Sequence, residues 1–344
     1  MKIVDMHCDT ISELYQKKKL GKKEGLDKNQ GHIDLEKLEA GGALLQNFAL
    51  FIHQKKVDNP LEEALEMADL YYQELETHVH RIGPVFCYQD IEKNEKEGRI
   101  SALLTIEEGG VCKGSLAQLR NLYRLGVRMM TLTWNYPNEI GFPAWNPEEF
   151  SQQEKSCDSK AGISQSFPYH KAKIEDGLTE KGRELVAEME RIGMIVDVSH
   201  LSDQGFYDVL ETTVKPFVAS HSNARAICPC ARNLTDDMIK KLAERGGVLG
   251  LNFCPDFLTL PQKGQPNPGT LEALNRHISH ILNVGGEECL GLGGDFDGIP
   301  THAELPDYSY MDRLVRLLEE QGLRQETLEK IFYKNVLRVY KEIL

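Results

Sequence analysis

The sequence predicts an α/β fold, a (β/α)8 barrel of the TIM type, and three observations carry that prediction. Short apolar runs alternate with longer amphipathic ones along the whole chain of 344 residues. There are eight such short runs, and eight βα units argue for closure into a barrel rather than an open sheet. The glycine-rich phosphate loop that usually follows the first strand of a doubly wound sheet is missing, and His7-Cys8-Asp9 stands in its place.

The expected strands are 3–9, 43–52, 102–107, 129–134, 194–199, 217–221, 248–253 and 290–293. Each is short and apolar enough to be buried on both faces, as parallel strands are. Helical patterns lie between them. Leu61–His78 is rich in Leu, Ala and Glu, and Leu116–Leu125 ends at Gly126, where a C-cap glycine belongs. Thr179 opens a helix that runs to Ile192 and closes at Gly193, and the patterns at 235–245 and 271–284 also end at paired glycines. A final amphipathic helix covers 336–344. The whole chain, 1–344, is expected to form one barrel domain. The segment at about 135–174 breaks the alternation and reads as a long loop over one end, with Trp145, Phe150, Phe167 and Tyr169 as its apolar surface.

Composition narrows the function. A net charge of −13 with no long Lys/Arg run argues against a nucleic-acid partner. No stretch approaches the roughly 20 apolar residues of a membrane helix, and the polar opening Met1-Lys2-Ile3-Val4-Asp5 lacks a signal-peptide core. A cytoplasmic location is therefore expected, with the eight cysteines reduced. Cys228 and Cys230 have no matching pair, which makes a thiolate zinc site improbable.

Polar residues gather at the expected strand ends. His7 and Asp9 end the first strand, Glu108 follows the third with Glu107 as its equal, His200 ends the fifth, His221 ends the sixth, and Asp295 follows the eighth. All fall on the C-terminal face, where barrel enzymes build their sites. Each signal alone has a bland explanation: a hydrogen-bonded pair, a turn, a satisfied core histidine, a helix cap. Three histidines and three carboxylates at one end of the barrel are a different matter, because buried charges there need compensation. Imidazole and carboxylate without thiolate suit zinc, and also manganese, cobalt or nickel. Six candidate ligands exceed the needs of one tetrahedral ion, so the pattern suggests two ions roughly 3.5–4 Å apart sharing a bridging carboxylate and hydroxide.

Five motifs in order, Asp5-Met6-His7-Cys8-Asp9, Glu107-Glu108-Gly109-Gly110, Asp197-Val198-Ser199-His200, Ser220-His221-Ser222-Asn223-Ala224-Arg225 and Gly293-Gly294-Asp295-Phe296-Asp297-Gly298, resemble the membrane (renal) dipeptidase family of zinc metallopeptidases. The resemblance spans nearly the whole chain and implies an amidohydrolase-type barrel that cleaves dipeptides with two Zn2+. It implies that His7 and Asp9 bind one ion, that His200 and His221 bind the other, and that Glu108 bridges them. It makes Asp295 the catalytic acid/base and Arg232 the residue that holds the substrate's terminal carboxylate. Where the mammalian branch has a substrate-contacting histidine, this chain has Trp134 followed by Asn135, so these two are expected to touch substrate. A homodimer and tolerance of a D-residue at the second position are further family traits. The alternatives are a binuclear barrel hydrolase of another amide, lactone or phosphoester, and an inactive barrel kept as a binding protein.

Overall fold

The structure, a computed structural model, describes residues 1–145, 176–260, 267, 269–300 and 302–344. Its strands are β1 (Ile3–Asp5), β2 (Ala43–Phe51), β3 (Ile82–Pro84), β4 (Ile100–Glu107), β5 (Met129–Thr131), β6 (Ile195–Asp197), β7 (Val218–Ser222), β8 (Val248–Leu251) and β9 (Leu290–Leu292). All pairings are parallel, in the order β2-β1-β9-β8-β7-β6-β5-β4-β3. A direct β2–β4 ladder, Leu45 opposite Ser101 through Phe51 opposite Glu107, closes eight of them into a barrel. The eight-stranded parallel barrel is the one the sequence predicts.

The ninth strand, β3, is an addition. It pairs only with the start of β4, while β5 joins β4 from Thr105 onward. Three residues that include a glycine and a proline carry no apolar run, so pattern alone does not reveal it. The expected helices form at 60–77, 116–125, 180–192, 236–244, 271–285 and 335–343. Side chains cap several N-termini: Ser115 accepts from Gln118 N, Thr179 from Gly182 N, Thr235 from Met238 N and Thr270 from Ala273 N. Of the long segment at 135–174, Trp145 is buried, and Phe150, Phe167 and Tyr169 lie outside the described residues. Among the described residues no helix is long and apolar enough to cross a membrane.

Two apolar layers hold the barrel. One lies between strands and surrounding helices and includes Leu50, Leu104, Ile106, Met130, Val196 and Leu249. The other fills the N-terminal end of the barrel, where Val4, Leu45, Leu103, Met129, Ile195, Val218 and Val248 pack with Val336, Val339, Tyr340 and Ile343 of the last helix. Asn47 Nδ2 donates to the Tyr340 hydroxyl at 2.7 Å, tying that helix into the barrel floor. With one end filled by hydrocarbon, the opposite end is left for polar groups.

Candidate metal centre

At the C-terminal ends of the strands, six side chains converge on one buried point. His7 Nε2 lies 3.5 Å from Asp9 Oδ2, 3.4 Å from Glu107 Oε2 and 3.8 Å from Asp295 Oδ1. Glu107 Oε1 faces the other two histidines, 3.0 Å from His200 Nε2 and 3.6 Å from His221 Nε2. The His7 and His221 rings stack at 3.8 Å. The chain after β1 and the chain after β9 are laced together: Asp9 N donates to Phe296 O at 2.9 Å, and Asp295 N donates to His7 O at 3.2 Å. Gly298 closes against this pair, since a Cβ there would come within 2.1 Å of Asp9 Oδ2 and 2.7 Å of Asp295 Oδ1.

The structure places the two adjacent glutamates differently. Glu108, expected as the bridging ligand, turns away: its carboxylate accepts from Gly110 N at 2.7 Å, Asn138 Nδ2 at 2.6 Å and Trp134 N at 3.1 Å. Its backbone is left-handed, at φ 106°, and it caps the short turn at 109–112. Glu107 takes the central place because it is the last residue of β4 and shares parity with Leu103, which packs in the barrel interior. A strand apolar on both faces gives no parity signal, which is why the sequence left the two glutamates equal.

Burial sets the electrostatics. Burial first, then the charge of Asp9, pushes the Glu107 carboxyl up to about 7 against the pull of His7. Burial likewise raises Asp295 to about 7, with His7 opposing and Asp9 and Glu107 adding to the rise. Burial works to lower the pKa of His7, but Glu107 and Asp9 outweigh it and hold it well above 6.5. His200 and His221 go the other way, desolvation keeping both well below 6.5 and therefore neutral.

Two contacts orient the neutral rings. His200 Nδ1 meets Asn135 Oδ1 at 2.8 Å, and His221 Nδ1 meets Ser220 Oγ at 2.7 Å. An amide oxygen only accepts, so His200 carries its proton on Nδ1 and turns a bare Nε2 inward. The Nε2 atoms of His200 and His221 lie 3.0 Å apart, and neither nitrogen of His7 nor Asp9 Oδ1 makes a hydrogen bond. A bare His200 Nε2 held 3.0 Å from the Glu107 carboxylate, among buried groups that lack hydrogen bonds, fits a cation. Among the described residues two groups could hold one: His7 with Glu107 and His221, and His7 with Asp9 and Asp295.

A cavity of about 560 Å³ opens over this point. Asp9, Glu107, His200 and Asp295 form its floor, and Phe51, His53, Trp134, Asn135, Trp145, Cys254 and Phe257 line it further out. Trp134 stands against Phe51, with ring centroids 4.8 Å apart, and against His53 at 5.0 Å. Arg232 is buried and does not line the cavity wall; its guanidinium sits 5.4 Å from the Phe257 ring. Its Nη2 donates to His221 O at 3.0 Å, and its Nε has no protein partner.

The sequence reading missed two contributors. Asn252, just past β8, donates Nδ2 to Asp295 Oδ2 at 2.8 Å, and His53, just past β2, lines the cavity. Both are polar residues directly beyond a buried strand, the same signal that singled out the histidines.

A parallel eight-stranded barrel with histidines and carboxylates gathered at its C-terminal end is an amidohydrolase-like barrel with a candidate metal site. The profile of the membrane dipeptidase family (peptidase family M19) matches residues 1–344, and the chain belongs to that family of metallodipeptidases. It is 30% identical over 323 residues to dipeptidase tcpJ of Claviceps purpurea, covering 91% of this chain and 69% of the relative. It is 32% identical to an uncharacterised dipeptidase of Schizosaccharomyces pombe, covering 99% and 80%. Among solved structures, a metallopeptidase of family M19 called dipeptidase AC superposes with a TM-score of 0.85 at 25% identity, covering 100% of this chain and 98% of that one. A Rhodobacter sphaeroides metallopeptidase, solved with a phosphinate mimic of L-Ala-D-Ala, superposes equally well at 24% identity over 100% and 99%.

Proposed function

We propose that this chain cleaves dipeptides with two divalent ions, zinc by the character of the donors, held by His7, Asp9, Glu107, His200 and His221. The observation that carries the reading is the convergence of these groups around unpartnered, inward-facing nitrogens. Glu107, whose two oxygens face different histidines, would serve both ions, the role expected of Glu108 from the sequence. When bound, the ions supply a water-derived nucleophile at neutral pH and polarise the scissile carbonyl.

The chain's own residues do the rest. Asp295, anchored by Asn252 beside the proposed ligands His7 and Asp9, takes a proton from the attacking water and returns it to the leaving amine as the C–N bond breaks. Trp134 forms an aromatic wall beside the cavity floor, while Asn135 holds His200 and so serves the substrate indirectly. Arg232 keeps an unpartnered Nε behind the cavity wall, beside Phe257, and a guanidinium suits a substrate's terminal carboxylate once that wall gives access to it. Tolerance of a D-residue at the second position belongs to the same proposal, with the ligand of the Rhodobacter relative as its support. A homodimer rests on the family resemblance alone.

Metal content measured beside hydrolysis of L,L- and L,D-dipeptides, before and after chelation, tests this reading. The expected result is about two zinc ions per chain and chelator-sensitive cleavage of free dipeptides but not of C-terminally blocked ones. Cleavage that survives full chelation would overturn the metal assignment. Equal cleavage of blocked peptides would overturn the role given to Arg232.

A further inference from the structure

Ile-Val-Asp occurs twice, at 3–5 and 195–197, as the strands β1 and β6. Both aspartates are fully buried, and neither lines the cavity. Each clips two neighbouring strand ends. Asp5 Oδ1 accepts from His7 N at 3.0 Å and from Gly294 N at 3.1 Å, which fixes the residue before Asp295. Asp197 Oδ1 accepts from Ser199 N at 3.0 Å and Ser220 N at 2.8 Å, which fixes the residues before His200 and His221.

The resemblance between the two clips ends at the second oxygen. Asp197 Oδ2 accepts from two hydroxyls, Thr131 Oγ1 and Ser220 Oγ, each at 2.6 Å. A serine hydroxyl has one proton, and a carboxylate can only accept it. With that proton committed to Asp197, Ser220 Oγ has only lone pairs to offer His221 Nδ1 at 2.7 Å. A neutral imidazole then carries its single proton on Nδ1.

We propose that Asp197 is a positioning residue which, through the Ser220 hydroxyl, fixes the His221 proton on Nδ1 and so presents a bare Nε2 to a metal ion. The ion in that statement rests on the metallodipeptidase reading; the tautomer does not. Asp5 clips backbone in the same manner but has no hydroxyl relay to a histidine, so it is the built-in control.

Asp197→Asn keeps the shape and reverses the polarity. Its amide oxygen retains the two backbone N–H bonds, while its NH2 donates to the hydroxyls that formerly donated to it. Ser220 then turns its proton toward His221 Nδ1, which moves the ring proton to Nε2. Outer-shell partners of metal-ligating histidines affect affinity by about 10–100-fold.

The test uses the full-length, metal-free protein, with histidine ring-nitrogen NMR beside zinc titration against a competing chelator. In the parent protein the His221 proton is expected on Nδ1. D197N is expected to shift it to Nε2 and to weaken one of the two zinc equivalents by about 10–100-fold, whereas D5N leaves the His221 signal where it was. Should D197N fail to fold, S220A removes the relay and is expected to release the proton from its single site with the same loss of affinity. An unchanged His221 tautomer and unchanged zinc binding in D197N, or in S220A, would overturn the proposal. A parent protein that takes up no zinc would instead overturn the metal reading, and the ring-nitrogen comparison would still judge the tautomer.

Discussion

The two ends of this barrel are built from the same strands and follow opposite rules. At the N-terminal end, the first residues of the strands and the last helix meet as hydrocarbon, and the buried hydroxyl of Tyr340 is hydrogen-bonded. At the C-terminal end, His7, Asp9, Glu107, His200, His221 and Asp295 are buried together, and several of their atoms find no partner. Backbone strain has the same polarity. Among the described residues, left-handed non-glycine backbone occurs at Glu108, His200, Asp295 and Asp297, all at this end, and otherwise only at Lys113. Such conformations cost about 1–3 kcal/mol each. The filled end holds the fold, and the strained end is what the fold carries.

If that division holds, the largest effect of a single substitution belongs at the charged end and depends on which of two adjacent glutamates is changed. Glu107→Gln is expected to remove metal binding and dipeptide turnover by more than the about 10–100-fold typical of an outer-shell loss. Glu108→Gln changes a carboxylate that accepts from Gly110, Asn138 and Trp134 and faces none of the three histidines, and it is expected to leave zinc stoichiometry at the parent value. Zinc analysis of the two purified variants decides between them, and the reverse pattern would restore the sequence-based assignment.

That pair also marks the limit of what the sequence could tell. The barrel was legible because eight apolar runs separated by capped helices leave few alternatives, and the histidines were legible because polar residues at buried strand ends stand out. The parity of Glu107 was not legible, since both faces of β4 are buried. Nor was β3, whose Ile-Gly-Pro has no period to read. The placement of Arg232 against Phe257, and the contacts that Asn252 makes with Asp295 and Asn135 with His200, depend on loop paths that no local pattern encodes, although Asn252 stands at a strand end where the histidine signal could have found it.

The next effect is smaller and has a pH signature. Asp295→Asn is expected to lower kcat by about 10²–10⁴-fold, the usual range for a general acid/base, with zinc retained. In the metal-free protein the same substitution should stabilise. The folded-state pKa of Asp295 is raised from 3.8 to about 7, so its favourable contribution is complete below pH 4 and is lost as pH rises through 7. The asparagine does not titrate. The melting-temperature difference, variant minus parent, should therefore be near zero at pH 4, grow up to about pH 7 and level off above it. A flat difference would mean that Asp295 is not the strained carboxylate described here.

The smallest effect belongs to the other end and tests whether the two ends are separable at all. Val339 is fully buried in the floor cluster, so Val339→Ala removes two buried carbons' worth of packing, about 1.5 kcal/mol by area and somewhat more if a cavity remains. Unfolding in denaturant should register that loss in both the metal-free and the zinc-loaded protein. Turnover per bound zinc should stay at the parent value, because Val339 packs in the floor cluster with the N-terminal halves of the strands, while the proposed ligands stand at their C-terminal ends. Loss of zinc affinity in this variant would show that packing at the floor sets the spacing of the histidines, and the filled end would then belong to the metal centre as much as to the fold.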